Sequence, residues 1–208
     1  MSELTITTLE NLITVMKDNN IDVSLYGRKN SKSVEALFSE IENGETVLLV
    51  NGEKLVRKVI VLNLVIRSNG LVLREKWQEH FGKERRERKC LLAEKIMKNE
   101  LQILELVIKR AINEELGSLG LNLQLKIDLD SSAIAWTNGY SQSYPELNSC
   151  YEFHIIPVDV VGLPENDFIT TEYEKNNPSQ LRLTTAWEWV TEDPCNFNDV
   201  VKIYFAKK

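Results

Sequence analysis

The chain has 208 residues, 43% of them hydrophobic, and a formal net charge of −6. That length buries one sizeable core, or one core with a small appended lobe. The acidic balance argues against general nucleic-acid binding through a basic surface. The longest nearly uncharged apolar run, VIVLNLVI at 59–66, is far too short to cross a bilayer as a helix, so no membrane span is expected. The opening stretch MSELTITTLENLI carries early acids and lacks a basic n-region, and no secretory signal is expected either. Three widely spaced cysteines, Cys90, Cys150 and Cys195, give neither a disulfide framework nor a zinc spacing, which points to a reduced, cytoplasmic setting. His80 and His154 do not make a histidine-rich metal site.

In chain order, Leu9, Leu12, Ile13 and Met16 form one stripe and predict a helix over 7–17. YGRKNSKS at 26–33 reads as a polar loop. Val34, Leu37, Phe38 and Ile41 then predict a second helix over 32–42, closed by Asn43-Gly44. The period next changes to two. ETVLLV and EKLVRKVIVLNLVIR read as strands around Asn51-Gly52, and a second Asn-Gly at 69–70 leads into LVLREKWQEHF. With ERRERKCLLAEK after the turn at 82–83, the middle of the chain reads as an antiparallel meander. Leu101, Leu104, Val107, Ile108, Ala111 and Ile112 predict a third helix over 101–116. LNLQLKIDL at 121–129 alternates like a half-buried strand. WTNGYSQSYPEL at 136–147 reads as a turn-rich loop, CYEFHIIPVDVVGLP as a strand, NDFITTEYEKNNPSQ as a loop, and AWEWV as a short strand. NFNDVVKIYF suits a closing helix, though a strand fits its apolar residues too. Helices flanking a mixed or antiparallel sheet predict an α/β layered fold.

The chemistry-bearing stretch is RAINEELG at 110–117. Arg110 and Glu114 stand four apart and share a helix face. Glu114 and Glu115 lie about 100° apart around the axis, both near the helix end. A hard divalent cation wants oxygen ligands, usually a few carboxylates with waters and substrate phosphates. A rigid helix with adjacent carboxylates meets that need. As ordinary surface residues, the same glutamates would simply be solvated helix formers and Arg110 their ion-pair partner.

RAINEELG resembles the second half of the Nudix box, in which an arginine and a glutamate pair close the catalytic helix before a glycine. LVIRSNGLVLREKWQEHFGKERRERKCLLAEKIMKNE before it and SYPEL, YEFHIIPVDVVGLPENDFITTEYE and WEWV after it are similar to the order of strands in a divergent Nudix-like group, over roughly residues 55–192. The resemblance implies a Nudix-like α/β/α sandwich with a mixed sheet over 55–208 and a short N-terminal helical extension, 1–54, packed on it. It implies Mg²⁺ or Mn²⁺, a nucleotide-type small-molecule substrate, and hydrolysis of a nucleoside diphosphate linked to another group. By position, Arg110 is the orienting arginine, Glu114 and Glu115 the metal-binding pair, and Gly117 the closing glycine. The departures are Ala111 in place of a glutamate, Gln102 where a glutamate belongs, and Ile96 where a glycine belongs. Glu100 substitutes as a ligand if the loop slips, or Glu105 assists. The alternative is a catalytically degenerate Nudix-like module that binds nucleotide or protein.

Other features carry two readings each. Arg86 and Arg88, or Arg85 and Lys89, share a strand face in KERRERK. They form either the outward side of a hairpin or a phosphate grip. Glu172 and Glu174 are exposed loop acids or a late ligand or base. Trp187 and Trp189 are core or a base-stacking platform. Trp77, Phe81 and Tyr144 could line a pocket, His154 reads as a satisfied core histidine, and Cys90 as a small buried hydrophobe. The sequence does not set the oligomeric state, and a homodimer stays open.

Overall fold

A computed structural model describes residues 2–28, 31–52, 54–141, 143–174 and 177–191. Its strands are β1 (Ser2–Glu3), β2 (Val47–Asn51), β3 (Lys54–Ser68), β4 (Leu71–His80), β5 (Arg86–Cys90), β6 (Leu92–Ile96), β7 (Gln124–Ile127), β8 (Ala133–Ser141), β9 (Tyr144–Val161), β10 (Phe168–Glu174) and β11 (Asn177–Val190). The α-helices are α1 (Leu9–Asp18), α2 (Val34–Glu42) and α3 (Leu104–Leu116). The fold is mixed α/β, and its sheet pairing is mostly antiparallel. No helix among the described residues is long and apolar enough to cross a membrane.

The chain divides into two compact units, each built from separated stretches. The first holds residues 1–61, 95–102 and 134–153. The N-terminal helices therefore share a unit with β2, much of β3, and part of the β8 and β9 hairpin. Thr8 caps α1 by accepting from the Asn11 amide, and Ser33 caps α2 by accepting from Ala36, so each helix begins where a side-chain oxygen replaces a missing backbone acceptor. Leu12 and Met16 from α1, Leu37 from α2, Leu48 from β2 and Tyr144 from β9 meet in one buried cluster. β2 and β3 pair antiparallel from Val47 opposite Lys58 to Asn51 opposite Lys54.

The second unit holds residues 62–94, 103–133 and 154–208. The end of β3 turns into β4 through Asn69 and Gly70, both at positive φ, the twisted two-residue turn that Asn-Gly favours. β4 then pairs with β11, β11 with β10, and β5 with β4. α3 buries Val107, Ile108, Ala111, Ile112 and Leu116, one helical stripe. Its α-helical part begins at Leu104, after a 3-10 turn at Lys98–Ile103.

Two expected loops are strands. Residues 136–147 lie in β8 and β9, with the reversal between Ser141 and Tyr144. Asn138-Gly139 lies within the first of them, and Gly139 lacks the positive φ found at the Asn-Gly turns. The alternation of Ile134, Trp136 and Tyr140 with smaller residues carries the strand instead. Within the expected loop at 166–180, residues 168–174 form β10 and residues 177–180 begin β11. Their glutamates sit on a strand because ladder pairing to β11 satisfies the backbone. The expected closing helix at 196–205 lies outside the described residues.

Candidate functional site

The site follows from the row structure of α3. Glu115 stands four residues after Ala111 and seven after Ile108, on the row that α3 buries. Glu114 stands four after Arg110, on the solvent row. Arg110 and Glu114 are accordingly exposed, whereas Glu115 is half-buried. One Glu115 oxygen, Oε2, is fully enclosed and has no hydrogen-bond partner among the described residues. Burial, then the charges of Glu75, Glu94 and Glu114, push its carboxyl up to about 7, with Arg182 opposing. An enclosed carboxylate among carboxylates holds its proton because the charged form loses water and meets repulsion.

The second unit supplies all of these neighbours. Glu75 lies on β4 and is 4% exposed. Its Oε2 accepts from Arg88 Nε at 2.7 Å and from the Cys90 thiol at 3.5 Å. Burial, then Glu75, push the Cys90 thiol up to about 12, so Cys90 stays a protonated, weakly donating group. The ladder brings Arg88 and Cys90 to Glu75 through an irregularity: β5 places Cys90 opposite Glu75 and Glu87 opposite Trp77, with a shift between. Such a bulge re-aims side chains locally.

A basic margin adjoins Arg88. His80 ends β4, and the turn after it carries Lys83, whose amide donates to the His80 carbonyl at 2.9 Å. Burial, then Lys83, Arg182, Arg86 and Arg88, hold the His80 imidazole below its ordinary value. Arg182 pairs with Glu172. Arg86 is exposed and makes no ion pair among the described residues. Arg85 does not share this role: its guanidinium lies 3.8 Å over the Trp77 ring and pairs with Glu79 at 3.2 Å. Lys89 pairs with Glu87.

Of the residues singled out by sequence, Arg86, Arg88, Arg110, Glu114 and Glu115 belong to the second unit, and Glu100 to the first. Glu100 is 5% exposed, and its Oε2 accepts from the Met97 amide at 2.8 Å, closing the turn before α3. Glu105 and Gln102 are exposed, and Ala111 is fully buried. Trp187 is fully buried and donates to Thr170 at 2.8 Å, and Trp189 donates to the Pro164 carbonyl at 2.9 Å, so both indoles are held in place with satisfied N–H groups. His154 is half-buried.

Glu75, Glu94 and Arg182 were not singled out by sequence. For Glu75 a signal exists: it continues the parity of Leu71 and Leu73 on β4, so the alternation carries a carboxylate onto the covered side. Among the described residues, no three His, Cys, Asp or Glu side chains are gathered into a cage for a metal ion. Mg²⁺ is usually bound by one or two carboxylates, with waters and substrate phosphates completing its shell. An enclosed, partnerless Glu115 oxygen is the kind of donor such an ion takes up. Comparison with known proteins returns no matching family model and no matching curated sequence.

Proposed function

We propose that the chain is a metal-dependent hydrolase of a nucleoside diphosphate-linked or related phosphoanhydride substrate, with a Nudix-like α/β/α sandwich over 55–208 and the helices of 1–54 as an extension. The observation that carries this reading is the partnerless Glu115 oxygen, enclosed among carboxylates and flanked by a basic margin. Mg²⁺ or Mn²⁺, when bound, would offset negative charge at the phosphates. Glu115 and Glu114 would hold it, and Arg110 would orient them from the exposed row. Arg86, with no ion pair among the described residues, is available to grip phosphate bidentately, and Arg88 is fixed by Glu75 beside it. Glu115, with a pKa near neutrality, can exchange a proton at physiological pH. The free thiols of Cys90 and Cys150 suit a cytoplasmic setting.

One observation favours a second reading. Ala111, where the resemblance expects a ligand, is fully buried, and Gln102 is exposed and neutral. A domain with this reduced set suits nucleotide binding without turnover. Hydrolysis of a phosphoanhydride panel, assayed with Mg²⁺ and Mn²⁺, separates the two. Turnover abolished by Glu115→Gln is expected for the hydrolase. Saturable nucleotide binding without turnover supports the binding module, and absence of both overturns the two together.

A further inference from the structure

A strand with one unpaired edge invites pairing, and proteins guard such edges by shortness, charge, proline or irregularity. Among the described residues, the singly paired strands follow that rule, with one exception. β1 has two residues, and β7 has four, one of them Lys126. β5 carries Arg86, Glu87, Arg88 and Lys89, and β6 carries Glu94 and Lys95. β10 carries Glu172 and Glu174 and two register shifts.

β8 is neither short nor charged, and it holds no proline. Among the described residues it pairs only with β9. It runs nine residues, AIAWTNGYS, without a charge or a proline. Ile134, Trp136 and Tyr140 alternate along one side and are 49%, 62% and 65% exposed. Trp136 is oriented by donating to Glu152 at 3.4 Å, and Lys58 holds Glu152 at 2.6 Å.

We propose that β8 is a self-association edge, at which two copies of this chain pair their β8 strands antiparallel across a two-fold axis. A two-fold contact needs a surface complementary to itself. Pairing centred on Thr137 sets Ile134 of each copy opposite Tyr140 of the other, and Trp136 opposite Asn138. Such apolar–aromatic cross-strand pairs are favourable. The uncharged strand lets two chains of net charge −6 meet without like charges at the ladder, and it offers no counter-charge to an acidic or basic peptide. At about 150–250 Å² per aromatic side chain, the exposed parts of Trp136 and Tyr140, with Ile134 and the backbone edge, amount to roughly 400 Å² per copy. The total, on the order of 800 Å², falls short of the ~1,200 Å² of stable complexes. The dimer is therefore transient and concentration-dependent.

Sedimentation velocity of the full chain tests this. A reversible dimer with a dissociation constant on the order of 10 µM or weaker is expected. Tyr140→Lys and Ile134→Lys, which put a charge on the edge without touching the buried core, weaken it at least about tenfold. Circular dichroism melts check that these variants fold. Should either fail to fold, hydrogen exchange of the unaltered chain replaces it: protection of residues 133–141 rises with protein concentration. A monomer at all concentrations, lysine variants that dimerise as well as the parent, or concentration-independent exchange in β8 overturns the proposal, whatever other protein the strand captures.

Discussion

Glu40 and Glu115 are the same side chain in opposite circumstances. Glu40, on α2 in the first unit, is 6% exposed and accepts from five groups. Lys32 and Lys95 reach Oε1 at 2.7 and 2.9 Å, Tyr144 donates to it at 2.9 Å, and Arg57 and Thr46 reach Oε2 at 2.8 and 3.2 Å. Burial pushes its carboxyl up, but hydrogen bonds from Lys32, Lys95 and Arg57 more than reverse this and hold it well below the usual carboxylate range. Glu115 meets burial and three carboxylates, which outweigh Arg182, and moves the other way. The difference separates a carboxylate that holds a structure together from one kept under electrostatic strain, and strained titratable groups are where chemistry concentrates.

The comparison breaks most readily at Glu40. Glu40→Ala leaves Arg57, 3% exposed, without its carboxylate, and the stability loss expected from breaking a buried pair is about 3–5 kcal/mol, read by urea unfolding. A loss within the range of surface pairs would remove Glu40 from its anchoring role. The contribution of Glu40 also has a pH sign. Its folded pKa lies below the unfolded value of 4.5, so the stabilisation is present above that pH and fades as pH falls toward the folded pKa.

Glu115 has the reverse sign. Its folded pKa is raised from 4.5 to about 7, so the penalty is absent below the unfolded value, builds up as pH rises from 4.5 to 7, and is full above 7. Glu115→Gln should leave stability near the parent's at pH 5 and raise it by ~2 kcal/mol at pH 8. Unfolding midpoints at the two pH values check this, and an equal effect at both would refute the strain. Arg85→Ala supplies the lower bound. Its contact with Trp77 lies at an exposed hairpin, and its loss should cost about 0.5–1 kcal/mol in the same unfolding assay, with no pH dependence between 5 and 8.

Much of the local structure was legible in the sequence because short-range patterns carry it. α1 and α2 appear where the apolar stripes put them, starting two residues later than expected, after the Thr8 and Ser33 caps, and Asn69-Gly70 turns where an Asn-Gly pair is expected to. The stretch 136–147 read as a loop, but at Asn138-Gly139 the same dipeptide lies within a strand, where cross-strand pairing of β8 outweighs the turn preference. Glu114 and Glu115 look equivalent in RAINEELG. Only the burial of the Ala111 row separates a solvated carboxylate from an enclosed one.

By itself, then, the sequence determined the helix stripes, the tight turns at 51–52 and 69–70, and the acidic pair at the end of α3. These rest on neighbours within a few residues, where spacing and backbone preference act directly. The tertiary structure decided that Glu75 and Glu94 join Glu115, that Glu100 is occupied in closing a turn, and that residues 1–61 share a unit with residues 134–153. Those outcomes depend on strand register and on which carboxylates lose their water. Both are settled by residues far apart in the chain.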